Sequence, residues 1–243
     1  MSVAALAALV RERQPCVVLT GAGISTESGI PDFRSTGGLW REFDPLDYGS
    51  IDSFRRDPVR IWEFYGRRFR FLADAEPNAA HVAVAELERR GLARAVVTQN
   101  IDLLHERAGS EDVVEVHGSI REAHCLSCGR AEPLEAVLAQ IDGGSAPTCP
   151  ACGSVLKPGV VMFGELLPAA AIARAHALAR EAGLVLVVGS SLEVWPVAGL
   201  PLEARSFAVV NRGPTALDDR AALVVDGSAG ETLAALVEAL SVD

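Results

Sequence analysis

Six short runs of apolar and β-branched residues constrain the fold of this chain more than any other feature of its sequence. They lie at residues 16–19, 95–98, 113–116, 184–188, 207–210 and 223–225. None of them alternates apolar with polar residues, which is typical of strands that are covered on both faces of a sheet. Helical patterns separate the runs, and this alternation predicts a parallel sheet with right-handed crossovers. We therefore expect an α/β fold with a doubly wound parallel sheet.

Two segments interrupt this alternation of strands and helices. Residues 35–76 contain most of the aromatic side chains and many arginines, and residues 121–156 contain four of the five cysteines. With 243 residues, the chain is long enough for one large domain that carries such insertions. We predict one domain, 1–243, with two lobes. The large lobe comprises about residues 1–34, 77–120 and 157–243, and the small lobe about 35–76 and 121–156. Helices are predicted at 78–90, 168–182 and 231–240.

Four cysteines have the spacing C-x2-C-x20-C-x2-C, and they are Cys125, Cys128, Cys149 and Cys152. Each pair can form a tight turn with both sulfurs facing one point, and zinc prefers such a set of four thiolates. A site closed by four protein ligands has no open position for water, so we predict one structural zinc ion. Two disulfides or a redox-active pair are the alternatives. A cytoplasmic location disfavours the first, and the doubling of the motif disfavours the second.

The charge balance narrows the classes of partner. The chain has a formal net charge of −10, which disfavours non-specific binding to nucleic acid or to anionic membranes. The longest apolar run, residues 3–10, is far shorter than the roughly 20 residues that span a bilayer. Arg11 and Arg13 follow this run, whereas a secretory signal has its positive charge in front. We expect a cytoplasmic protein that binds neither nucleic acid nor membrane.

A glycine-rich turn follows the first predicted strand. Gly21 and Gly23 come directly after it, where small residues let the backbone approach a diphosphate closely. The dinucleotide fingerprint places a third glycine or alanine where this chain has Thr26, and no acidic residue ends a second strand about 20 residues later. An ordinary strand–helix turn therefore remains an alternative. The pattern favours a nucleotide but disfavours an ordinary dehydrogenase.

Polar residues stand at the carboxyl ends of several predicted strands, where ligands bind in parallel sheets. These ends contain the sequence TQNID at residues 98–102, His117-Gly118, GSS at residues 189–191, and Asn211. Caps of the following helices are the simpler explanation for each end taken alone. His117 directly follows an apolar strand, and its reference pKa of about 6.5 suits a general base. We predict that His117 is that base.

The stretch GAGISTESGIPDFR, from Gly21 to Arg34, resembles the NAD-binding signature of the sirtuins, which are NAD-dependent protein-lysine deacylases. The other polar motifs, the cysteine quartet and VVMFGE at residues 160–165 match the remaining motifs of that family in the same order. The resemblance covers nearly the whole chain. It implies one sirtuin catalytic domain, with a Rossmann-like sheet domain and a smaller zinc-ribbon plus helical lobe. NAD and an acyl-lysine peptide would enter the cleft between the lobes from opposite sides.

The resemblance also assigns roles to residues. The positions expected to contact NAD are Gly21, Ala22, Gly23, Asp32, Phe33, Arg34, Gln99, Asn100, Ile101, Asp102, Gly189, Ser190, Ser191, Asn211 and Ala229. The positions expected to hold the substrate peptide as an added strand are Val160, Val161, Phe163, Gly164, Leu192, Glu193 and Val194. Pairing of this kind recognises backbone, so the peptide sequence would be read weakly. The expected catalytic residues are His117, Asn100 and Asp102.

The family chemistry implied by the resemblance uses NAD as a co-substrate. The acyl oxygen attacks the ribose carbon as nicotinamide leaves, and His117 then acts as base on a ribose hydroxyl. Asn100 and Asp102 orient the ribose and the nicotinamide. The products are free lysine, nicotinamide and O-acyl-ADP-ribose, and the zinc takes no part in bond-making. Acylated lysines in proteins are the expected partners, and nothing in the sequence predicts an oligomeric state.

An arginine-rich segment suggests which acyl group is removed. Residues 55–70 carry six arginines against two acidic residues, interleaved with aromatic side chains. Tyr65 and Arg68 are three residues apart, hence on one helical face, and together they can bind a carboxylate. They resemble the Tyr-x-x-Arg pair of the class III sirtuins, which remove succinyl and malonyl groups. By equal spacing, Gly49 falls where a small residue would widen the acyl pocket. The alternative is a helix whose arginines merely face solvent.

Three other functions remain open on the sequence alone. A plain deacetylase would use the same machinery without recognising an acidic acyl group. A protein ADP-ribosyltransferase would use the same NAD site but modify a protein. A catalytically idle NAD-binding sensor or repressor is disfavoured because Asn100, Asp102 and His117 are all intact.

Overall fold

The computed structural model describes residues 2–33, 37–141 and 145–241 of the chain. All six predicted strands are confirmed: β1 (Cys16–Thr20), β2 (Ala93–Thr98), β3 (Val113–Glu115), β7 (Leu184–Val188), β8 (Phe207–Asn211) and β9 (Leu223–Asp226). They form one parallel sheet in the order β3-β2-β1-β7-β8-β9. This is the strand order of doubly wound nucleotide-binding sheets, with the order reversing between β1 and β7. The predicted α/β fold class is confirmed.

Helices cover both faces of this sheet. The described helices are α1 (Val3–Glu12), α2 (Pro45–Tyr48), α3 (Ile51–Arg56), α4 (Pro58–Asp74), α5 (Ala79–Arg89), α6 (Leu104–Arg107), α7 (Leu134–Ile141), α8 (Ala169–Glu181) and α9 (Ala229–Ala239). Val18 of β1 packs in a core with α1, α5 and α9, whereas its neighbour Val17 packs in a second core with α8. Successive residues of β1 thus enter opposite cores, which explains why the strands lack polar alternation. The three helices predicted from periodicity match α5, α8 and α9.

A second sheet lies apart from the first. Its strands are β4 (Gly118–Cys125), β5 (Ala131–Pro133) and β6 (Leu156–Val160), and they pair antiparallel in the order β5-β4-β6. β4 therefore begins before, and β6 ends after, the segment 121–156 that we assigned to the small lobe. Helix α4 packs beside this sheet, and its Trp62 indole N–H donates to the carbonyl oxygen of Leu156 at 2.7 Å. The division of the chain into two lobes stays our proposal.

Helix α4 contains most of the arginine-rich segment, and aromatic side chains lie on its buried face. Asp57 caps its first turn by accepting the N–H of Arg60 at 3.1 Å, and Pro58 occupies the first helical position. Its buried face includes Trp62, Tyr65 and Phe69.

In the part of the chain that the structure describes, no helix is both long and apolar enough to cross a membrane.

Candidate functional site

The carboxyl ends of β1 and β7 define the place where a ligand can enter the larger sheet. These strands are neighbours, but β2 lies on the far side of β1 and β8 on the far side of β7. Such a reversal leaves a crevice beyond the strand ends, and a first cleft of about 420 Å³ opens there. Eleven positions expected to contact NAD line this first cleft: Gly21, Ala22, Gly23, Asp32, Phe33, Gln99, Asn100, Gly189, Ser190, Ser191 and Asn211.

The glycines at this reversal are required by the fold itself. A Cβ atom on Gly23 would lie 2.8 Å from the Cα atom of Gly189, and one on Gly21 would lie 2.8 Å from the Gly189 carbonyl oxygen. Gly189 has a φ of +63°, and its own Cβ would lie 2.1 Å from the backbone nitrogen of Ile24. From the sequence, a bound ligand is the reason to expect small residues here. The structure adds a second reason, because the turns after β1 and β7 touch through backbone atoms.

Gly189→Ala is expected to destabilise the fold more than an alanine at another left-handed glycine. Gly91 has a φ of +70°, and no atom lies within 4 Å of the point that its Cβ would occupy, so Gly91→Ala adds backbone strain alone. Gly189→Ala adds the clash with backbone atoms and should lower the free energy of unfolding by a further 1–3 kcal/mol, roughly the cost of overpacking. Urea denaturation of both variants measures the difference. Equal losses would show that the turns can separate without cost.

A second cleft of about 340 Å³ adjoins the first one. Phe33, Gln99, His117 and Val194 line both clefts, so these four residues form the junction. The rest of the lining of the second cleft includes residues from α4, Gly49, the end of β6 and the segment after it. Two ligands, one in each cleft, would therefore meet beside the imidazole ring of His117.

The hydrogen bond of His117 leaves one ring nitrogen available. Nδ1 lies 3.1 Å from the carbonyl oxygen of Gln99. A carbonyl oxygen only accepts, so Nδ1 carries the proton of the neutral ring and Nε2 keeps a free lone pair. Burial lowers the pKa of His117, against a smaller opposite effect of the bond to Gln99. The ring therefore stays neutral at pH 7, as a general base must be.

Asn100, which lines the first cleft, and Asp102, which lies behind it, share one buried hydrogen-bond network with Ser25. The Ser25 hydroxyl donates to Asp102 Oδ2 at 2.7 Å and accepts from Asn100 Nδ2 at 3.0 Å. Burial raises the pKa of Asp102, while bonds from the Leu104 N–H and from Ser25 act in the opposite direction. His81 Nε2 lies 3.3 Å from the same hydroxyl. The sequence alone predicts no separate role for Ser25 and none for His81.

A second buried network lies behind the first. His105 Nε2 lies 2.9 Å from the Thr20 hydroxyl, which donates to the Thr98 hydroxyl at 2.8 Å. The Thr98 hydroxyl in turn accepts the backbone N–H of Asn100 at 3.0 Å. This chain of bonds fixes Asn100 from the ends of β1 and β2. His105 is fully buried, and its position after the TQNID motif in the sequence gives no signal of this contact.

Some of the positions expected to contact NAD do not belong to the described lining of the first cleft. Ile101 lines the second cleft, and Asp102 is buried behind the first. Ala229 is the first residue of α9 and packs in the core with Leu233, so it is outside the described lining of the first cleft. Arg34 lies outside the described residues. These assignments stay predictions.

The two segments expected to hold a peptide flank the second cleft. The segment after β6 is fixed by backbone bonds: the N–H of Val161 donates to the His117 carbonyl oxygen, and that of Phe163 to the Gly49 carbonyl oxygen, both at 2.8 Å. On the other side, Val194 lines the cleft. Leu192 is buried with a φ of +56°, a conformation that is uncommon for leucine and that often marks a functional turn. Val160 and Gly164 also line the second cleft, and Glu193 lines the first.

Tyr65 and Arg68 both reach the second cleft from α4. The Arg68 guanidinium lies 5.6 Å from the centre of the Phe64 ring, and among the described residues it has no carboxylate within 4.0 Å. Burial lowers the pKa of Arg68, and nearby Tyr65 partly offsets this. Gly49 lines the same cleft, and an added Cβ there would lie 2.8 Å from the Pro45 carbonyl oxygen and 3.3 Å from the Trp40 ring. Within the described part of the chain, the positive charge of Arg68 thus faces the second cleft without an acidic partner, and the lining of this cleft includes two small residues, Gly49 and Gly164.

The four cysteines converge as their spacing predicts. Three of their Sγ–Sγ distances are 3.5, 3.6 and 3.7 Å. Tetrahedral zinc with bonds of about 2.3 Å separates its sulfur ligands by about 3.8 Å, so the thiolates fit this metal. Gly129 and Gly153 follow the second cysteine of each pair with φ of +76° and +74°, which gives the two turns the same shape. The cysteine spacing by itself predicts nothing about these two glycines.

The fold and the two joined clefts define a nucleotide-binding α/β protein with a zinc-ribbon module. The Sir2 family model matches residues 21–196. An NAD-dependent protein deacetylase of Caldivirga maquilingensis is 46% identical over 93% of this chain and 89% of its own length. An NAD-dependent protein deacylase of Pyrococcus furiosus is 44% identical over 91% of each. A solved structure described as Sir2 with p53 peptide and NAD+ superposes with a TM-score of 0.93 at 38% identity, covering 100% of both chains.

This chain belongs to the Sir2 family, the sirtuins, as its motifs indicated. The family model covers the cysteine quartet, the whole lining of the second cleft and that of the first cleft apart from Asn211, Arg212 and Pro214.

Proposed function

We propose that this protein is an NAD-dependent protein-lysine deacylase that yields nicotinamide and O-acyl-ADP-ribose. The observation that carries the proposal is the junction of the two clefts at His117. The curated relatives that share 44–46% of their residues with this chain are named as deacetylases or deacylases that depend on NAD, which supports the same activity here. We also propose a cytoplasmic location, because reduced zinc-binding cysteines are typical of that compartment.

The first cleft is the proposed NAD site. Backbone N–H groups at the turn after β1, together with the polar side chains after β7, can hold the diphosphate and ribose groups. When bound, NAD supplies a ribose carbon that loses nicotinamide. Asn100 and Asp102, fixed through Ser25, hold the ribose and nicotinamide end of the molecule. Their rigid network lets the site orient the co-substrate before the reaction.

The second cleft is the proposed acyl-lysine site. Segments 160–164 and 192–194 flank its mouth, where a peptide can add as a strand between them. Trp195 is 66% exposed and Phe163 is 43% exposed at this mouth, so apolar surface is available for the lysine stem and the peptide. His117 Nε2, at the junction, takes a proton from a ribose hydroxyl and returns it later in the reaction.

The test of this activity is nicotinamide release that depends on an acylated peptide. The purified protein is incubated with NAD and either an acetyl-lysine peptide or the same peptide unmodified. We expect stoichiometric nicotinamide and deacylated peptide from the first and neither from the second. Release without peptide, with ADP-ribose attached to a protein, would favour the ADP-ribosyltransferase. No release at all would favour a sensor that only binds NAD.

We further propose that the acyl groups removed include succinyl and malonyl. Arg68 supports this proposal because it faces the second cleft without a carboxylate partner among the described residues. A guanidinium in a partly desolvated site binds a carboxylate strongly. Tyr65 lies in the same wall and adds a hydroxyl donor. Acetyl-lysine would still fit and react, so deacetylation is expected alongside.

Arg68→Met is expected to lower kcat/KM for succinyl-lysine about 10-fold to 150-fold, since a hydrogen bond to a charged group contributes roughly 1.5–3 kcal/mol. The acetyl-lysine value should stay unchanged, because an acetyl group has no carboxylate for the cation to bind. Tyr65→Phe removes only a neutral donor and should act in the same direction but less strongly. The measurement is kcat/KM for matched succinyl and acetyl peptides.

Arg67→Met is the matched control for this experiment. Arg67 is the neighbour of Arg68 on α4, but it is exposed and lies outside the described lining of the second cleft. Both activities should survive the loss of its charge. If Arg68→Met weakens succinyl and acetyl activity equally, Arg68 serves the helix alone and the protein is a plain deacetylase.

A further inference from the structure

Lys157 is the single lysine of a chain that otherwise uses arginine for its basic side chains. It lies on β6 and is only 5% exposed. Its Nζ donates to the carbonyl oxygens of Pro158 at 2.8 Å and Val160 at 2.7 Å, and it pairs with Glu165 Oε2 at 3.0 Å. These three acceptors match the three N–H bonds of an ammonium group, so the buried charge is fully satisfied.

Glu165 connects this ammonium group to the segment that flanks the second cleft. Its Oε2 also accepts the backbone N–H of Met162 at 2.8 Å, and its own N–H donates to the Met162 carbonyl oxygen at 3.0 Å. Lys157 therefore holds residues 160–165 from the start, through Val160, and from the end, through Glu165. The ion pair therefore links Lys157 of β6 to the end of the peptide-holding segment.

Glu165 also lines the second cleft, together with Tyr65 and Arg68. Burial is the main reason that the pKa of Tyr65 rises to about 12; Arg68 opposes this rise and the negative charge of Glu165 adds to it. Glu165 is thus close enough to Tyr65, in the proposed acyl site, to affect it electrostatically. A succinyl carboxylate at Arg68 would meet a second carboxylate in the same cleft unless that charge is balanced.

We propose that Lys157 is a positioning residue that sets acyl specificity, by balancing the charge of Glu165 and fixing it away from the acyl carboxylate that Arg68 binds. This inference rests on the proposed removal of acidic acyl groups. It assigns the succinyl preference to four residues rather than two. Arg68 and Tyr65 attract the carboxylate, and the Lys157–Glu165 pair prevents the competing repulsion.

Lys157→Met leaves Glu165 without its cation. We expect the ratio of succinyl to acetyl kcat/KM to fall about 10-fold, which corresponds to roughly 1.4 kcal/mol of repulsion. The fall should come from KM for the succinyl peptide, because the repulsion acts on binding. Adding Glu165→Gln to the same chain should restore the ratio to within about two-fold of the wild type.

Glu165→Gln alone keeps the proposal testable if Lys157→Met does not fold. With the carboxylate removed and the ammonium group kept, the succinyl to acetyl ratio should rise. A ratio unchanged by this variant, or a ratio in the double variant that stays as low as in Lys157→Met, would overturn the proposal. Wild-type protein without succinyl activity would instead refute the acyl preference on which the inference rests, and the two failures are therefore distinguishable.

Discussion

Replacing His117 with alanine is expected to lower turnover by roughly 100-fold or more, the usual contribution of a positioned acid–base group. NAD affinity should stay nearly unchanged, because the ring lies at the junction of the clefts and the first cleft keeps its other lining residues. Single-turnover assays measure the first effect, and titration calorimetry with NAD measures the second.

His176→Ala is the control for His117→Ala. His176 lies on α8, pairs with Glu203 at 2.6 Å and is outside the described lining of both clefts, so turnover should persist.

The activity of the wild type should also persist at mildly acidic pH. Burial lowers the pKa of His117, so the neutral form that acts as the base remains populated below pH 6.5, the ordinary histidine pKa being about 6.5. Near-normal turnover in His117→Ala would mean that another group is the base.

Cys128→Ser is expected to release the zinc and unfold the antiparallel sheet. Cys128 is exposed, so the change to serine removes few packing contacts. A large loss of stability would therefore be due to the loss of the metal. Structural zinc binding contributes on the order of 10 kcal/mol in small zinc modules, and a lost ligand removes much of it. Metal analysis by mass spectrometry should give one zinc per chain for the wild type and none for the variant, with a lowered Tm.

Cys16→Ala is the matched control for the zinc ligands. Cys16 lies in β1, away from the quartet, and burial raises the pKa of its thiol to about 12. This variant should keep a full zinc content and lose only a modest packing contribution. Folded and active wild-type protein that contains no zinc would contradict the structural role of the quartet.

The larger sheet could be predicted because its strands are buried on both faces. Runs such as β7 and β8 contain apolar residues at nearly every position. This pattern can be recognised without knowing which strands pair with each other. The smaller sheet could not be predicted in the same way. β6 contains Pro158 and Gly159, which weaken strand patterns. Its pairing with β4 joins residues far apart in sequence, from Cys125 with Leu156 to Gly118 with Val160. Tertiary context decides such strands.

The parts of the candidate site that could be predicted are those in which the spacing of certain residue types indicates their chemistry. The cysteine quartet and the turn after β1 belong to this class, and the structure brings each together. Ser25, His81 and His105 could not be identified in this way. Their importance comes from burial beside Asn100 and Asp102, and burial of a polar side chain leaves no periodic signal in the sequence. Lys157 gave a signal only by being the single lysine.

The mass of the ADP-ribose product tests the proposed deacylation most directly. Matched acetyl, malonyl and succinyl peptides are incubated with NAD and the protein, and the nucleotide products are analysed by mass spectrometry. We expect an ADP-ribose ester that carries the acyl group of each peptide, with free lysine left on the peptide. Free ADP-ribose or ADP-ribosylated protein, with the acyl group still on the peptide, would contradict this mechanism.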